Sequence, residues 1–488
     1  MDLGCGRIPY LKYFIFDSPK SFLTATIMSF ITAQDMELTD GSRIAVIGGG
    51  PAGSFFSYYV LEYARRFDLE LELDIFEAKD FTKVGSSGCN HCGGIISESL
   101  VQELATDGLV IPSDIIQRGI KTYTMHTEQG TRKIHAPTDE RRIASVFRGC
   151  GPRGCLDNSL KGFDNYLLGL CQENGARLIL EKVTLLERTE EGVMVGCSKS
   201  PLRKYDLVVG AVGLNPKALE LFKGICPSYS LPEVTRAYIS EFLMKPRDIE
   251  KKLGSSMHVF LLDLPQITFG ALIPKYNYVT LVLLGKDIDK DIVQNFISSK
   301  AVRSCFPEDF PVKKALPCQC YPYINIKQGN HPYADRVVLI GDSASSKLYK
   351  NGIGAAFITA KAAASTVIFE GISESHFEKY YKPKCSDLDK DNRIGKLIFW
   401  VTRIIQKSTI LKRGLLGMVG KEQALEHSAL RMSSALWDTF TGSAGYRNIL
   451  RRFLHPGLLF ELAKSTLVSN ISVINRHSHE KQEDRQTL

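Results

Sequence analysis

The feature that most constrains this chain is the hexapeptide Gly48-Gly49-Gly50-Pro51-Ala52-Gly53. It follows a short apolar run, 43–47, and opens a stretch, 54–67, with the composition of a helix. A second alternating run, 71–76, ends at Glu77. In a Gly-x-Gly-x-x-Gly turn between strand and helix the glycines have separate tasks. Gly48 permits the tight turn, Gly50 lets a pyrophosphate approach the backbone, and Gly53 lets helix and strand pack closely. Pro51 and Ala52 lie where the helix N-terminus offers free N–H groups and partial positive charge to phosphate. A carboxylate at Glu77 can accept hydrogen bonds from ribose hydroxyls. This βαβ opening predicts a dinucleotide site in an α/β fold.

Further along, 85–94 is a loop rich in Gly and Cys that ends Cys92-Gly93-Gly94, and Arg148 and Arg153 bracket a second glycine-rich loop. A guanidinium there can pair with a cofactor phosphate or adenosine; a solvated surface arginine is the other reading. Residues 163–174 form a helix stopped by Gly175. Runs at 177–187, 193–196 and 206–209 read as strands. Between 231 and 285 the runs 259–262, 267–272 and 279–284 alternate with turns and predict a separate antiparallel sheet. A buried strand at 336–340 then leads to Gly341-Asp342, the loop Asn351-Gly352-Ile353-Gly354 and a helix at 355–369. Beyond 385 the chain is helical and basic.

The expected layout is a discontinuous Rossmann-like cofactor domain, 43–215 and 335–385, with an antiparallel β-sheet substrate domain, 216–334, as a lid over the cofactor. A flexible arm, 1–42, precedes it. A C-terminal helical region, 386–476, and a disordered polar tail, 477–488, follow.

Three separated signatures in the right order resemble the glutathione-reductase-type FAD-dependent oxidoreductases: the turn 48–53, the segment 206–213 (Asp-Leu-Val-Val-Gly-Ala-Val-Gly), and Gly341-Asp342 with its glycine loop. The resemblance implies FAD. It places the Asp342 carboxylate at the ribityl–pyrophosphate region and Gly352, Ile353 and Gly354 against the flavin; a helix N-cap is the other use of an aspartate there. Within that group the chain is similar to the geranylgeranyl reductase family over roughly 43–460. The features that carry it are Cys92-Gly93-Gly94, Arg153 with Phe163-Asp164-Asn165-Tyr166-Leu167 and Gly175-Ala176, the Gly341-Asp342 block, and Phe440-Thr441-Gly442 with Tyr446.

This resemblance implies reduction of C=C bonds in an isoprenoid or lipid-like substrate. Hydride would come from FAD that NAD(P)H or another donor has reduced, and a nearby acid would protonate the second carbon. It also puts Cys92, Gly93 and Gly94 near the flavin, with Cys92 as a redox or substrate-facing candidate, and adds Val183 to the cofactor contacts. The family's aromatic motif Pro-x-x-Tyr-x-Trp-x-Phe-Pro is lost: Gln266, Phe269, Ala271 and Ile273 stand before Pro274. Two alternatives stay open, a flavin monooxygenase of the aromatic-hydroxylase type and a flavoprotein electron carrier to quinone. A halogenase would show Trp-x-Trp-x-Ile-Pro, whereas Trp400 and Trp437 are far apart.

The net charge of +8 suits an anionic cofactor or membrane surface, and no nucleic-acid motif accompanies it. Twelve cysteines in a chain of this length read as reduced thiols of a cytoplasmic protein. Cys89-x-x-Cys92 and Cys318-x-Cys320 are unlike and distant, so no metal site is expected. Lys347 and Lys350 read as solvated.

The segment 393–421 carries seven Lys or Arg and no Asp or Glu, with Ile394, Leu397, Ile398, Val401, Ile404 and Ile405 at helical spacing. It reads either as a surface helix docking on an anionic membrane, at the inner face, or as a helix packed on the protein's own core. The apolar runs 10–16 and 22–31 are each too short to span a bilayer and read as part of a floppy arm, with Met28 or Met36 as alternative starts.

Overall fold

Strand β1 (Ser42–Ile47) is buried at all but one position, as a central strand covered on both faces must be. The glycine turn links it to helix α1 (Pro51–Arg66), and the chain returns as β2 (Leu71–Phe76), parallel to β1 and in register from Ser42↔Leu71 to Ile47↔Phe76. The structure, a computed structural model, describes residues 36–90, 92–137, 143–153, 155, 160–312, 318–424 and 431–486.

The chain then leaves this sheet for the hairpin β3 (Thr122–Thr127) and β4 (Gly130–His135). It comes back through helix α2 (Phe163–Glu173) to β5 (Arg177–Ile179) and β6 (Leu207–Gly210). It leaves again for β7 (Tyr238–Leu243), β8 (Ser256–Phe260), β9 (Ile267–Pro274), β10 (Tyr278–Gly285) and β11 (Cys318–Cys320). It returns once more with β12 (Tyr333–Ala334) and β13 (Val337–Leu339). The first sheet has the order β12-β13-β6-β1-β2-β5, parallel except for the edge strand β12. Helix α3 (Gly352–Phe369) packs on α1, with Phe55 and Phe357 edge to face at 5.5 Å between ring centroids. Long and apolar enough to cross a membrane, α3 is instead largely buried inside the fold as a core helix.

The second sheet has the order β11-β7-β10-β9-β8-β3-β4. It departs from expectation in two ways. It recruits β3 and β4 from before residue 216, and β8 pairs with β3 in parallel, so the sheet is mixed rather than antiparallel. Alternation in a sequence marks a strand and its faces but carries no information on a distant partner. The run 177–187 also divides: β5 joins the first sheet, while Val183–Arg188 belongs to a separate three-stranded one.

The chain is already anchored at residue 36. The Met36 carbonyl accepts a hydrogen bond from Ile372 N–H at 2.7 Å, and Met36 and Leu38 pack on the first core. The expected arm is therefore shorter than 1–42; the stretches 10–16 and 22–31 and Met28 lie outside the described residues.

The basic segment 393–421 is divided between two helices, α4 (Lys382–Lys407) and α5 (Thr409–Ala424). Helix α5 buries Leu415, Leu416, Met418 and Val419 against the second sheet. Its Lys412 pairs with Glu128 at 2.6 Å and its Arg413 donates to Gln129 at 3.0 Å. Packing on the protein's own core is thus what α5 does. Helix α4 is two-sided: Ile398 and Phe399 are buried, whereas Leu397, Trp400, Val401 and Ile404 are exposed. Helix α6 (Arg431–Thr441) follows, and α7 (Pro456–Gln486) continues through most of the tail expected to be disordered. That tail is polar but holds no Gly or Pro, so nothing in it stops a helix.

Candidate active site

A cleft of about 860 Å³ lies between the two sheets, large enough for a cofactor and part of a substrate. It begins at the glycine turn, where the three glycines behave differently. A Cβ on Gly48, whose φ is +110°, would stand 2.3 Å from the Ala211 carbonyl oxygen, and one on Gly53 would stand 1.9 Å from that of Gly48. Both positions are required by the protein's own packing. Gly50 has an ordinary φ of −69°, and a Cβ there would meet only Asn90 Nδ2, at 3.4 Å. Its bareness serves the cleft, not the fold. The N-terminus of α1 has no side-chain cap and no acidic residue in its first turn, which leaves its N–H groups for an anion.

Glu77 lies on the cleft wall, accepting from the backbone N–H of Gly49 and of Lys79, each at 2.8 Å. Each oxygen keeps a lone pair for a ligand hydroxyl. Burial pushes the Glu77 carboxyl above its usual range, against these two hydrogen bonds. Val183 lines the same end, beside Glu181 and Lys182.

In the middle of the cleft stand Cys92, Gly93, Gly94, Arg148 and Asp342. Gly94 has a φ of +73°, and a Cβ there would strike the Val146 carbonyl at 2.0 Å. Gly93 touches the second sheet: its Cβ would lie 2.9 Å from Val282 and 3.1 Å from Ile273. Arg148 is partly buried and already paired. It makes a bidentate pair with Asp164, with Nη2 at 2.9 Å from Oδ2, and hydrogen-bonds Cys92. Asn90 donates to the same carboxylate. Arg148 therefore ties the Cys92 loop to α2 while still lining the cleft. Arg153, expected beside it, is exposed and does not line the cleft; its backbone packs against Gly85.

Gly341 and Gly354 serve packing: a Cβ on Gly341 would be 2.8 Å from Ala52 Cβ, and one on Gly354 would meet the Asn351 side chain at 2.5 Å. Asp342 does reach the cleft, and burial raises its carboxyl above the usual range while Ser346 and Arg148 oppose the shift. Asn351 adopts the left-handed conformation, φ +50°, and its side chain caps α3 by accepting from Gly354 N–H at 3.1 Å. Gly352 and Ile353 then present the start of α3 to the cleft.

The far end is apolar and belongs to the second sheet and α6. Ile239, Met257, Phe269, Ile273, Val282 and Phe440 line it. Phe269 and Ile273 occupy two of the altered motif positions, so that strand does build the wall.

Lys350 is the departure with the largest chemical consequence. Expected in solvent, it is 7% exposed. Its Nζ sits 3.0 Å from the Phe269 ring centroid and donates to the Phe440 carbonyl at 3.2 Å. Burial pushes its pKa well below the usual lysine range. Lys347 is mostly withdrawn as well, donating to the carbonyls of Gly442 at 2.7 Å and Ala444 at 3.0 Å. A lysine next to a glycine loop carries no local sign of burial. The signal would have been the pairing of 347–351 with 440–446, which a single sequence does not display.

No family model matches the chain, and no curated protein matches it in sequence. Solved structures do match in fold. One is a geranylgeranyl bacteriochlorophyll reductase-like protein from Thermoplasma acidophilum, with TM-score 0.60 and 15% identity over 85% of this chain and 99% of that one. Another is p-nitrophenol 4-monooxygenase from Pseudomonas putida, with TM-score 0.57 and 13% identity over 84% and 99%. A third is the halogenase PltM in complex with phloroglucinol and FAD, with TM-score 0.56 and 12% identity over 90% and 96%. At these identities what is shared is the fold, and it is shared by a reductase-like protein, a monooxygenase and a halogenase alike.

Proposed function

We propose that this chain is an FAD-dependent oxidoreductase that reduces a C=C bond of an isoprenoid or similarly lipid-like substrate, with NAD(P)H or another reductant as electron donor. The observation that carries the reading is the continuity of one cleft from the bare Gly50 and uncapped α1 to the apolar wall of Phe269 and Ile273. The residues fit the cofactor. The α1 N-terminus would hold pyrophosphate, Glu77 the adenosine ribose, Asp342 the ribityl region, and the start of α3 the flavin edge. Bound there, FAD supplies hydride equivalents.

The chain's own contribution is position and proton supply. The sheet wall excludes water from the reacting end. The buried pair Lys275–Glu241, at 3.0 Å, is completed by Thr280 donating to Glu241 at 2.7 Å and stands behind Gly94, fixing that loop. Lys350 Nζ is the candidate acid on the substrate wall. The exposed Leu397, Trp400, Val401 and Ile404, with Lys396, Arg403 and Lys407 on the same helix, supply a face for an anionic lipid surface from which such a substrate would load.

A second reading, an aromatic hydroxylase, draws support from the ring-lined wall of Phe269, Phe440 and Tyr349, on which a flat substrate would stack. One experiment separates the two. The purified flavoprotein is reduced anaerobically and offered polyprenyl lipids or phenols. Reoxidation by polyprenyl lipids without oxygen supports the reductase; reoxidation only on admitting oxygen, accelerated by a phenol, replaces it with the hydroxylase.

A further inference from the structure

The second sheet also carries a cluster remote from the cleft. His126 is on β3, His258 on β8, and Cys305 follows the short helix Lys300–Arg303. They are 132 and 47 residues apart in the chain, and the parallel pairing of β3 with β8 brings the two histidines together. All three are buried, their ligand atoms lie within 4.8 Å of one another, and none lines the cleft. His126 Nε2 is 2.8 Å from His258 Nδ1, and Cys305 Sγ is 3.4 Å from His258 Nδ1 and 3.8 Å from His126 Nε2.

We propose that His126, His258 and Cys305 form a structural metal site for Zn²⁺ that pins the β3–β4 hairpin to the rest of the second sheet.

Three observations support this. The donor set, two imidazoles and a thiolate, is the borderline-soft set zinc takes. The distances are close to what an ion needs: Zn–N of about 2.1 Å and Zn–S of about 2.3 Å in tetrahedral geometry place N and S about 3.6 Å apart and the two N about 3.4 Å apart. The observed Sγ distances straddle the first value, and the histidines need to part by about 0.6 Å to meet the second. The ring nitrogens are also oriented from behind. His126 Nδ1 is 3.1 Å from Thr131 Oγ1, and His258 hydrogen-bonds the Leu253 backbone, the outer partners that set the tautomer of a ligating histidine. Zinc binding would release the Cys305 thiol proton, which otherwise is donated to the Ala301 carbonyl at 3.5 Å.

The test uses the full chain, expressed in zinc-supplemented medium and freed of loose metal by gel filtration, with zinc measured by mass spectrometry. The expected result is about one zinc per chain, falling at least about tenfold in Cys305→Ser and in His258→Gln. Flavin content should stay unchanged in both, because neither residue touches the cleft. A strong chelator should lower the thermal midpoint of the wild type and leave that of Cys305→Ser unmoved. Wild-type protein holding less than about a tenth of an equivalent, with a midpoint indifferent to added zinc, would overturn the site and leave a hydrogen-bonded core triad. So would zinc retained equally by both variants, since the ion would then lie elsewhere. Because the wild-type measurement alone can refute the proposal, a variant that fails to fold does not shelter it.

Discussion

At the glycine-turn end the cleft is walled by main chain: Gly50, the first turn of α1, and Glu77 held by two backbone N–H groups. At the sheet end it is walled by side chains from four strands, α6 and the loop before α3. Backbone walls suit a ligand part that every relative of a fold must hold, because no side-chain substitution easily alters them. Side-chain walls can be rebuilt one residue at a time.

The sharpest way to break the comparison is Gly50→Val. Its backbone angles suit any residue, and a Cβ finds room. The fold should survive while pyrophosphate loses its place, so flavin content should fall more than about a hundredfold with little change in thermal midpoint. Flavin retained at wild-type level would end the assignment of that end of the cleft.

Lys350→Met comes next and should act in opposite directions on activity and stability. A lysine whose folded pKa is depressed costs folding free energy below its unfolded pKa of about 10.4, and the cost fades as pH rises toward that value. Removing the amine should therefore stabilise the protein at pH 7 by about 1–3 kcal/mol, with the gain shrinking toward pH 10, while turnover drops about tenfold to a hundredfold. Paired denaturation curves and turnover measurements at both pH values check this. A destabilised variant would mean that the contact with Phe269 outweighs the buried amine.

Phe269→Ala tests the side-chain wall alone. It should raise the substrate KM about tenfold or more and leave flavin content unchanged. Equal loss of flavin would show that the two ends are not separable. The smallest effect belongs to the exposed face of α4: Trp400→Ser should reduce co-sedimentation with anionic vesicles about threefold at low salt without touching turnover on detergent-solubilised substrate. Recovery that is indifferent to anionic lipid in the wild type would assign those residues no role at membranes.

The same division governs what could be read in advance. The glycine turn, β2 and Glu77 are contiguous, so local spacing carries them. The strand pattern of 259–284 was legible as a sheet, and Phe269 and Ile273 fell on its wall. What was not legible depends on pairing across the chain. The recruitment of β3 beside β8, the withdrawal of Arg148 into Asp164, and the burial of Lys350 under Phe440 leave no mark on neighbouring residues. Arg153 illustrates the converse: it sits in the right loop and faces away from the cleft.

The loop from Lys347 to Asn351 is held from the far side of the sequence. Lys347 and Asn351 both donate to the Gly442 carbonyl, Lys350 to that of Phe440, and the Tyr446 hydroxyl to that of Leu348. During synthesis, a ribosome that has passed residue 385 has made every strand of the first sheet but none of these anchors. The nascent chain can order its nucleotide end early, while the part that would grip the flavin ring waits for about sixty more residues, a few seconds at ordinary elongation rates. On the proposed reading, capture of the flavin ring would await the C-terminal helices, and a fragment ending near 385 should bind adenine nucleotides far better than it binds riboflavin phosphates.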